Sequence, residues 1–351
     1  MSKITDLARP EVRNLRPYRA APFNAGLLRL NANETPWRPT GDNSACGLNL
    51  YPEARPLRLT EALARHYGVE SNQLLVTRGS TEAIDLLVRC FCRPGEDRIL
   101  ICPPTFGMYE VYAQLQGADV HPIPLDKEQG YTLDLEAIEA ATAPQTKLLF
   151  ICSPNNPTGN LIPTDQIDSA CRAMDGTGIV VVDAAYVEFA TLDPTLELLE
   201  RHDNIVILRT LSKAFGLAGV RCGALIASPA IVDMADCILP PYAYPTPSAD
   251  AALAALAAPD DMHKRVATLR NERQRVVTML ENLPGIERVW PSATNFVLVL
   301  ASDPGRLAAA AKAGGVLIRD FSWDPYTPGC VRITIGDRAQ NDQLLEALKQ
   351  G

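Results

Sequence analysis

Short runs of Val, Ile and Leu recur along this chain, and most are continuous rather than alternating with polar residues. From about residue 70 they read "NQLLVTRG", "DRILIC", "ADVHPIPL", "TKLLFIC", "GIVVVD", "NIVILR" and "CGALIAS". A strand covered on both faces requires such a run, because neither face meets water. Helical or Pro/Gly-rich segments separate the runs. "STEAIDLLVRCF" places Ile84, Leu87, Val88 and Phe91 at the i, i+3, i+4, i+7 spacing of one helix face. The order predicts an α/β fold, a three-layer domain whose mainly parallel sheet carries helices on each side.

The texture changes after "LPPYAYPTPSAD" (239–250). A long helical region rich in Ala, Leu and Arg runs to about residue 280. Strand-like "IERVW" and "TNFVLVL", a helix "RLAAAAKAG", then "GVLIRD", "CVRITIG" and a last helix make a second, smaller α/β unit. Residues before about 45 hold no long element and read as an arm lying on other parts of the molecule. The expected division is therefore an arm with part of the small domain (1–45), a large domain (46–245) and a small carboxy-terminal domain (246–351). No internal repeat or low-complexity segment interrupts it.

Composition narrows the classes. The 351 residues suffice for two domains. A formal charge of −8 argues against a nucleic-acid surface, which demands clustered Lys and Arg. No apolar run is long enough to span a bilayer. "MSKITDLARPEVRNLRPY" lacks the apolar core of a secretory signal, so a cytoplasmic protein is expected. Nine cysteines lie scattered without a CxxC, as free thiols in a reducing compartment would. The four histidines show no ligand spacing, so no metal site is expected.

Polar signals gather where strands end, which is where open α/β sheets place ligands. "VTRGSTEAI" passes from a strand through Gly79 to a helix starting at Ser80 or Thr81; this is an anion site or a plain N-cap. "SPNNPTGN" is a Pro/Gly-forced turn that displays amide side chains. "IVVVDAAY" ends a buried strand in Asp183, with Tyr186 three residues on. That carboxylate either caps the next helix or pairs with a buried cation. In "RTLSKAFGLAGVRCG", Lys213 lies next to Ser212 with Arg221 beyond. A lysine near another cation and away from bulk water has its amine form favoured, as a nucleophilic lysine needs.

Together these motifs carry a resemblance that covers essentially the whole chain. "VRNLRPY", "LNANE", "YPE", "RGSTEAIDLL", "SPNNPTG", "VVDAAYVEF", "TLSKAFGLAGVRCG", "TNFVLV", "GVLIRD" and "VRITIG" occur in register. The sequence resembles the pyridoxal-phosphate-dependent aminotransferases of fold type I, and among them most closely the histidinol-phosphate aminotransferases of histidine biosynthesis.

The resemblance implies that Lys213 is linked covalently to the aldehyde of pyridoxal 5'-phosphate and later shuttles a proton. It implies that Asp183 faces the pyridine nitrogen, and that Tyr186 and Asn156 hydrogen-bond the phenolic oxygen. Gly79, Ser80, Thr81, Ser212 and Arg221 would hold the phosphate, with Tyr109 stacked on the ring; a core aromatic on a helix is the competing reading of Tyr109. Tyr51 would reach the phosphate of the neighbouring subunit in a homodimer with shared active sites. Arg332, a lone charge in an apolar strand, would grip a substrate carboxylate or the phosphate of histidinol phosphate. Tyr18 and Asn33 match the arm and the substrate wall. One departure is Thr81, where relatives often carry an acidic residue.

The expected reaction passes an amino group between histidinol phosphate and 2-oxoglutarate, giving imidazole acetol phosphate and glutamate. Rivals within the fold are an aminotransferase for aromatic amino acids and a threonine-phosphate decarboxylase-like enzyme. A nicotinamide dehydrogenase would require G-x-G-x-x-G between the first strand and helix, and none occurs there. A non-catalytic scaffold would be expected to have lost Lys213 or Asp183, and both remain.

Overall fold

The computed structural model describes residues 3–350 apart from 17, 19, 23–25, 46 and 194. The seven predicted runs form one sheet: β1 (Leu74–Thr77), β2 (Arg98–Ile101), β3 (Asp119–Pro122), β4 (Thr146–Cys152), β5 (Ile179–Asp183), β6 (Ile205–Thr210) and β7 (Gly223–Ala227). Their spatial order is β1-β7-β6-β5-β4-β2-β3. The strands from β3 to β6 pair in parallel, and β7 runs antiparallel to both β6 and β1.

Successive strand side chains point to opposite faces. Val180 and Val182 of β5 therefore join one core and Ile179 and Val181 the other. Helices Leu57–Tyr67, Leu135–Ala141 and Thr164–Ala173 cover the first face. Helices Ser80–Phe91, Met108–Gln116 and Pro229–Ile238 cover the second. Burial of each Val or Ile side chain is worth about 1.5–3 kcal/mol. Two filled faces thus offset the cost of ending β5 in a carboxylate.

The second sheet is antiparallel throughout, with β8 (Ile286–Val289), β9 (Phe296–Ala301), β10 (Arg319–Asp320) and β11 (Cys330–Thr334) in the order β10-β11-β9-β8. Helices Pro259–Leu280, Pro304–Ala313 and Arg338–Gln350 pack against it. The run "GVLIRD" yields only a two-residue strand, because Val316 and Ile318 pack on the core without a ladder partner. The long helical region is two helices, Thr246–Leu256 and Pro259–Leu280. Proline at position 259 has no N–H to continue a helix, yet its fixed φ suits the start of one.

Before residue 45 the described chain has two short helices, Lys3–Leu7 and Pro10–Arg13, whose Ile4 and Val12 join the second core. The stretch that follows leaves Leu27, Leu28, Leu30 and Trp37 exposed. No helix among the described residues is long and apolar enough to cross a membrane.

Candidate active site

The carboxyl ends of β1, β4, β5 and β6 and the amino end of β7 meet at one edge of the large sheet, where Thr77 and Thr210 both pair with Gly223. A cavity of about 140 Å³ opens there. Gly79, Ser80, Thr81, Asn156, Asp183, Tyr186, Ser212, Lys213 and Arg221 all line it. The topology thus brings together nine of the residues singled out in the sequence.

One end of the cavity is built for an anion. Gly79 is the N-cap of helix Ser80–Phe91, at φ 77°, and no side chain caps that helix. The first N–H groups of a helix have no intrahelical acceptor, so those of Ser80 and Thr81 are available to a ligand. The plain-cap reading of Ser80 and Thr81 does not describe this turn. A Cβ on Gly79 would fall 2.5 Å from Arg221 Nη2, and one on Gly223 would fall 2.5 Å from the Gly79 carbonyl carbon and 2.7 Å from Ser80 N. Two glycines let three segments close on each other. Arg221, itself at φ 60°, donates to Ser212 Oγ at 3.5 Å and to the carbonyls of Ala218 and Arg78 at 3.3 and 3.4 Å. Thr210 Oγ1 lies 2.9 Å from Ser212 Oγ and accepts from the Ser212 N–H at 3.1 Å.

Charge at the other end is set by burial. Desolvation pushes the Asp183 carboxyl up to about 6, against hydrogen bonds from Tyr109 and the Ala185 N–H and the attraction of Lys213. Desolvation also holds the Lys213 ammonium below the usual lysine range, reinforced by the positive charges of Arg332 and Arg221 and opposed by Asp183. Both shifts follow from moving a charge out of water. Lys213 is exposed and lines this open cavity, and its Nζ stands 5.4 Å from the centre of the Tyr186 ring.

Tyr109, expected to stack on the ring, is not among the residues that line the cavity. Tyr109 is fully buried, donates its hydroxyl to Asp183 Oδ2 at 3.0 Å, and stacks on Phe150 with centroids 4.7 Å apart. Phe106, in the loop three residues earlier, lines the cavity instead. Position on an element separates the two aromatics of "TFGMY": a residue inside helix Met108–Gln116 packs on the sheet, whereas one in the preceding loop faces the ligand edge. The two asparagines of the Pro/Gly turn also divide. Asn155 donates to Pro104 O at 2.8 Å and to Thr158 Oγ1 at 2.6 Å, holding the turn, while Asn156 faces the cavity.

Arg332 reaches this edge from the second sheet. Its guanidinium donates to Asn156 Oδ1 and lies 5.2 Å from the centres of both the Phe296 and Phe321 rings. Burial, with a smaller push from Arg319, lowers its pKa. Arg319 is the residue directly opposite Arg332 in the β10–β11 register, so both project from one sheet face. Sequence reasoning missed Arg319, Phe106, Thr210 and Gly223. For Arg319 the available signal was the position of "LIRD" immediately before a strand already bearing an arginine.

The single chain does not bring Tyr18, Asn33 or Tyr51 to the cavity. All three are exposed, and Tyr51 packs against Tyr242 with centroids 4.9 Å apart. Tyr51 instead lines a larger cavity of about 900 Å³ between the arm and helix Thr246–Leu256. In its lining Arg29 and Glu34 pair with each other at 2.7 Å. The eight described cysteines are free, and Cys46 lies outside the described residues. No cluster of metal-ligating side chains occurs among the described residues.

Residues 30–348 match the family model for aminotransferase class I and II. A histidinol-phosphate aminotransferase of Stenotrophomonas maltophilia is 44% identical, covering 98% of this chain and 96% of that protein. One from Xanthomonas euvesicatoria pv. vesicatoria is 43% identical over 99% of this chain and 98% of its own length. The crystal structure of histidinol-phosphate aminotransferase from Sinorhizobium meliloti in complex with pyridoxal-5'-phosphate superposes with a TM-score of 0.77, at 27% identity, over 86% of this chain and 82% of that one.

Proposed function

This chain belongs to the class I and II aminotransferase family, and we propose that it passes an amino group from histidinol phosphate to 2-oxoglutarate's side of the couple: histidinol phosphate and 2-oxoglutarate interconvert with imidazole acetol phosphate and glutamate. The observation that carries this reading is the sharing of one cavity by three features: a lysine held toward its amine form, a carboxylate at the end of a buried strand, and an anion-binding turn. The full-length similarity to proteins named for histidinol phosphate supports the substrate.

The residues present fit pyridoxal 5'-phosphate. Helix-start N–H groups, Ser212 and Arg221 match a phosphate; Asp183 matches a protonated ring nitrogen; Lys213 matches an aldehyde. When bound, the group supplies an exchangeable carbonyl and a ring that takes up an electron pair from the substrate. The chain does the rest. Lys213, whose amine form burial favours, is the nucleophile that would anchor the cofactor and the base that would move a proton at the amino-bearing carbon. Asp183, ionised above about pH 6, holds the proton on the ring nitrogen. Tyr186 and Asn156 are the hydrogen-bond donors for the phenolic oxygen. Phe106, which lines the cavity, would stack on the ring.

Arg332, packed between two phenyl rings, receives the phosphate of histidinol phosphate or a carboxylate of glutamate. Arg319 adds a second positive charge on the same sheet face, suited to a dianion. The hydrogen bond from Arg332 to Asn156 supports a substrate site between the proposed large domain (46–245) and small domain (246–351). A homodimer is part of this reading, because Leu28 and Leu30 are 87% exposed on the arm and Tyr51 lies away from its own cavity. Tyr51 would complete the neighbouring subunit's phosphate site, with Tyr18 and Asn33 on the arm and substrate wall. The setting proposed is cytoplasmic, with no nucleic-acid or membrane partner.

A half-reaction tests the proposal. Purified protein loaded with pyridoxal phosphate is mixed with histidinol phosphate alone, and the absorbance is expected to shift from the aldehyde-bound to the amine form of the cofactor. No shift with histidinol phosphate, but a shift with phenylalanine or turnover of threonine phosphate, would reassign the substrate.

A further inference from the structure

We infer that Tyr109 is a positioning residue that fixes the Asp183 carboxylate in its charged form through a hydrogen bond made from outside the cavity. The inference rests on the function proposed above and adds to it a role for a residue that touches neither cofactor nor substrate.

The geometry is that of a clamp. The Tyr109 ring is fully buried, stacked on Phe150 at an interplanar angle of 11° and met edge-on by Phe106 at 85°. Two aromatic contacts leave the phenol one orientation, and that orientation aims its hydroxyl at Asp183 Oδ2, 3.0 Å away. The other oxygen, Oδ1, accepts from the Ala185 N–H at 3.2 Å. Each carboxylate oxygen is thus held by one donor of the protein, and the carboxylate still lines the cavity. A buried phenol needs a partner for its hydroxyl, and a buried carboxylate needs donors to stay ionised. Here each meets the other's requirement.

The surrounding titratable groups leave this donor role to Tyr109. Burial and the nearby Asp183 charge hold the phenol well above its ordinary pKa, so it does not ionise and repel the carboxylate. Cys152, opposite Asp183 across the β4–β5 pair, has its thiol raised by burial and stays neutral. Tyr186 is likewise raised by burial. Lys213 attracts the carboxylate, but burial weakens its own charge. Burial favours the neutral acid, and the Tyr109 hydrogen bond is the largest influence opposing it. Phenylalanine would serve the packing equally well; only the hydroxyl serves the charge.

The test is Tyr109→Phe, which removes one oxygen and keeps the stacked ring. In cofactor-free protein, the Asp183 carboxyl is followed by carbon NMR against pH, its signal assigned by its loss in Asp183→Asn. Its proton affinity is expected to rise about tenfold, as loss of one hydrogen bond to a charged group implies. In loaded protein, the ring-nitrogen NMR shift is expected to move toward the unprotonated form. The half-reaction rate should fall about tenfold while the KM for the amino donor stays unchanged. A change of less than twofold in the Asp183 proton affinity would overturn the inference and leave Tyr109 as packing. Should Tyr109→Phe not fold, a fluorinated tyrosine placed at position 109 strengthens the donor and is expected to lower the Asp183 proton affinity; no change there overturns the inference equally. The cofactor-free measurement separates the two proposals, since failure of the wild-type protein to bind pyridoxal phosphate at Lys213 would sink the proposed function alone.

Discussion

Asp183 and Arg209 end neighbouring strands, yet they illustrate opposite uses of buried charge. Asp183 pairs in register with Leu208, so Arg209 lies one position farther on and points to the other face of the sheet. Arg209 is sealed: its side chain is buried, it pairs with Asp193, lies 3.9 Å from Glu188, and stands 5.3 Å over the Tyr67 ring. Its charge is matched within the chain by two carboxylates. Asp183 opens to the cavity, and among the described residues the one cation acting on it is Lys213, whose amine form burial favours. A buried charge balanced by its neighbours holds the fold together. One left short of a counter-charge at the edge of a cavity is poised for a ligand.

Substitutions can break that contrast. Lys213→Ala should cut transamination by about 10⁴-fold, the upper range for removing a proton-transfer group. The unfolding midpoint in denaturant should hardly move, because no core cavity is made. Arg209→Met should do the reverse: stranding Glu188 and Asp193 costs about 3–5 kcal/mol of stability in denaturant titration. The half-reaction rate per folded, loaded molecule should fall less than tenfold. Asp183→Asn should slow the half-reaction by about 10²–10³-fold, the usual range for a lost charge-stabilising group.

A pH comparison sharpens the same point. The Asp183 carboxyl rises from 3.8 to about 6 on folding, so between those values the native protein binds more protons than the unfolded chain. Stability of the cofactor-free protein is therefore greatest, as far as this group is concerned, below pH 3.8. It falls as pH rises through about 6, by up to roughly 3 kcal/mol. Unfolding titrations at several pH values should show that slope in the wild type and not in Asp183→Asn. The smallest effect is expected from Glu188→Gln. Burial raises this carboxyl to about 7 against the pull of Arg209, and an amide retains its polar contacts. A change in stability within about 1 kcal/mol and a half-reaction rate within twofold would confirm that the sealed cluster has no part in the chemistry.

Much of the site was legible because its residues lie in short segments whose backbone is determined locally. Gly79 with Ser80, the Asn155–Asn156 turn, Asp183 and Lys213 each lie at or just beyond the end of a recognisable strand. What was not legible depended on packing. Phe106 and Tyr109 are both aromatic and three residues apart, and only the position of the helix start decided which one faces the cavity. Gly223 read as an ordinary strand residue, although its missing Cβ is what admits Gly79 and Ser80. Arg319 became meaningful only through its pairing with Arg332.

By itself the sequence determined the layered α/β fold, since short continuous apolar runs rich in Val and Ile, separated by helical segments, suit strands covered on both sides, and it marked the strand ends where charge had to be answered. The tertiary structure alone decided which of those charges are balanced within the chain and which face a cavity. Alternation across the sheet sends Asp183 and Arg209 to different faces, and which partners wait on each face depends on segments far away in the chain.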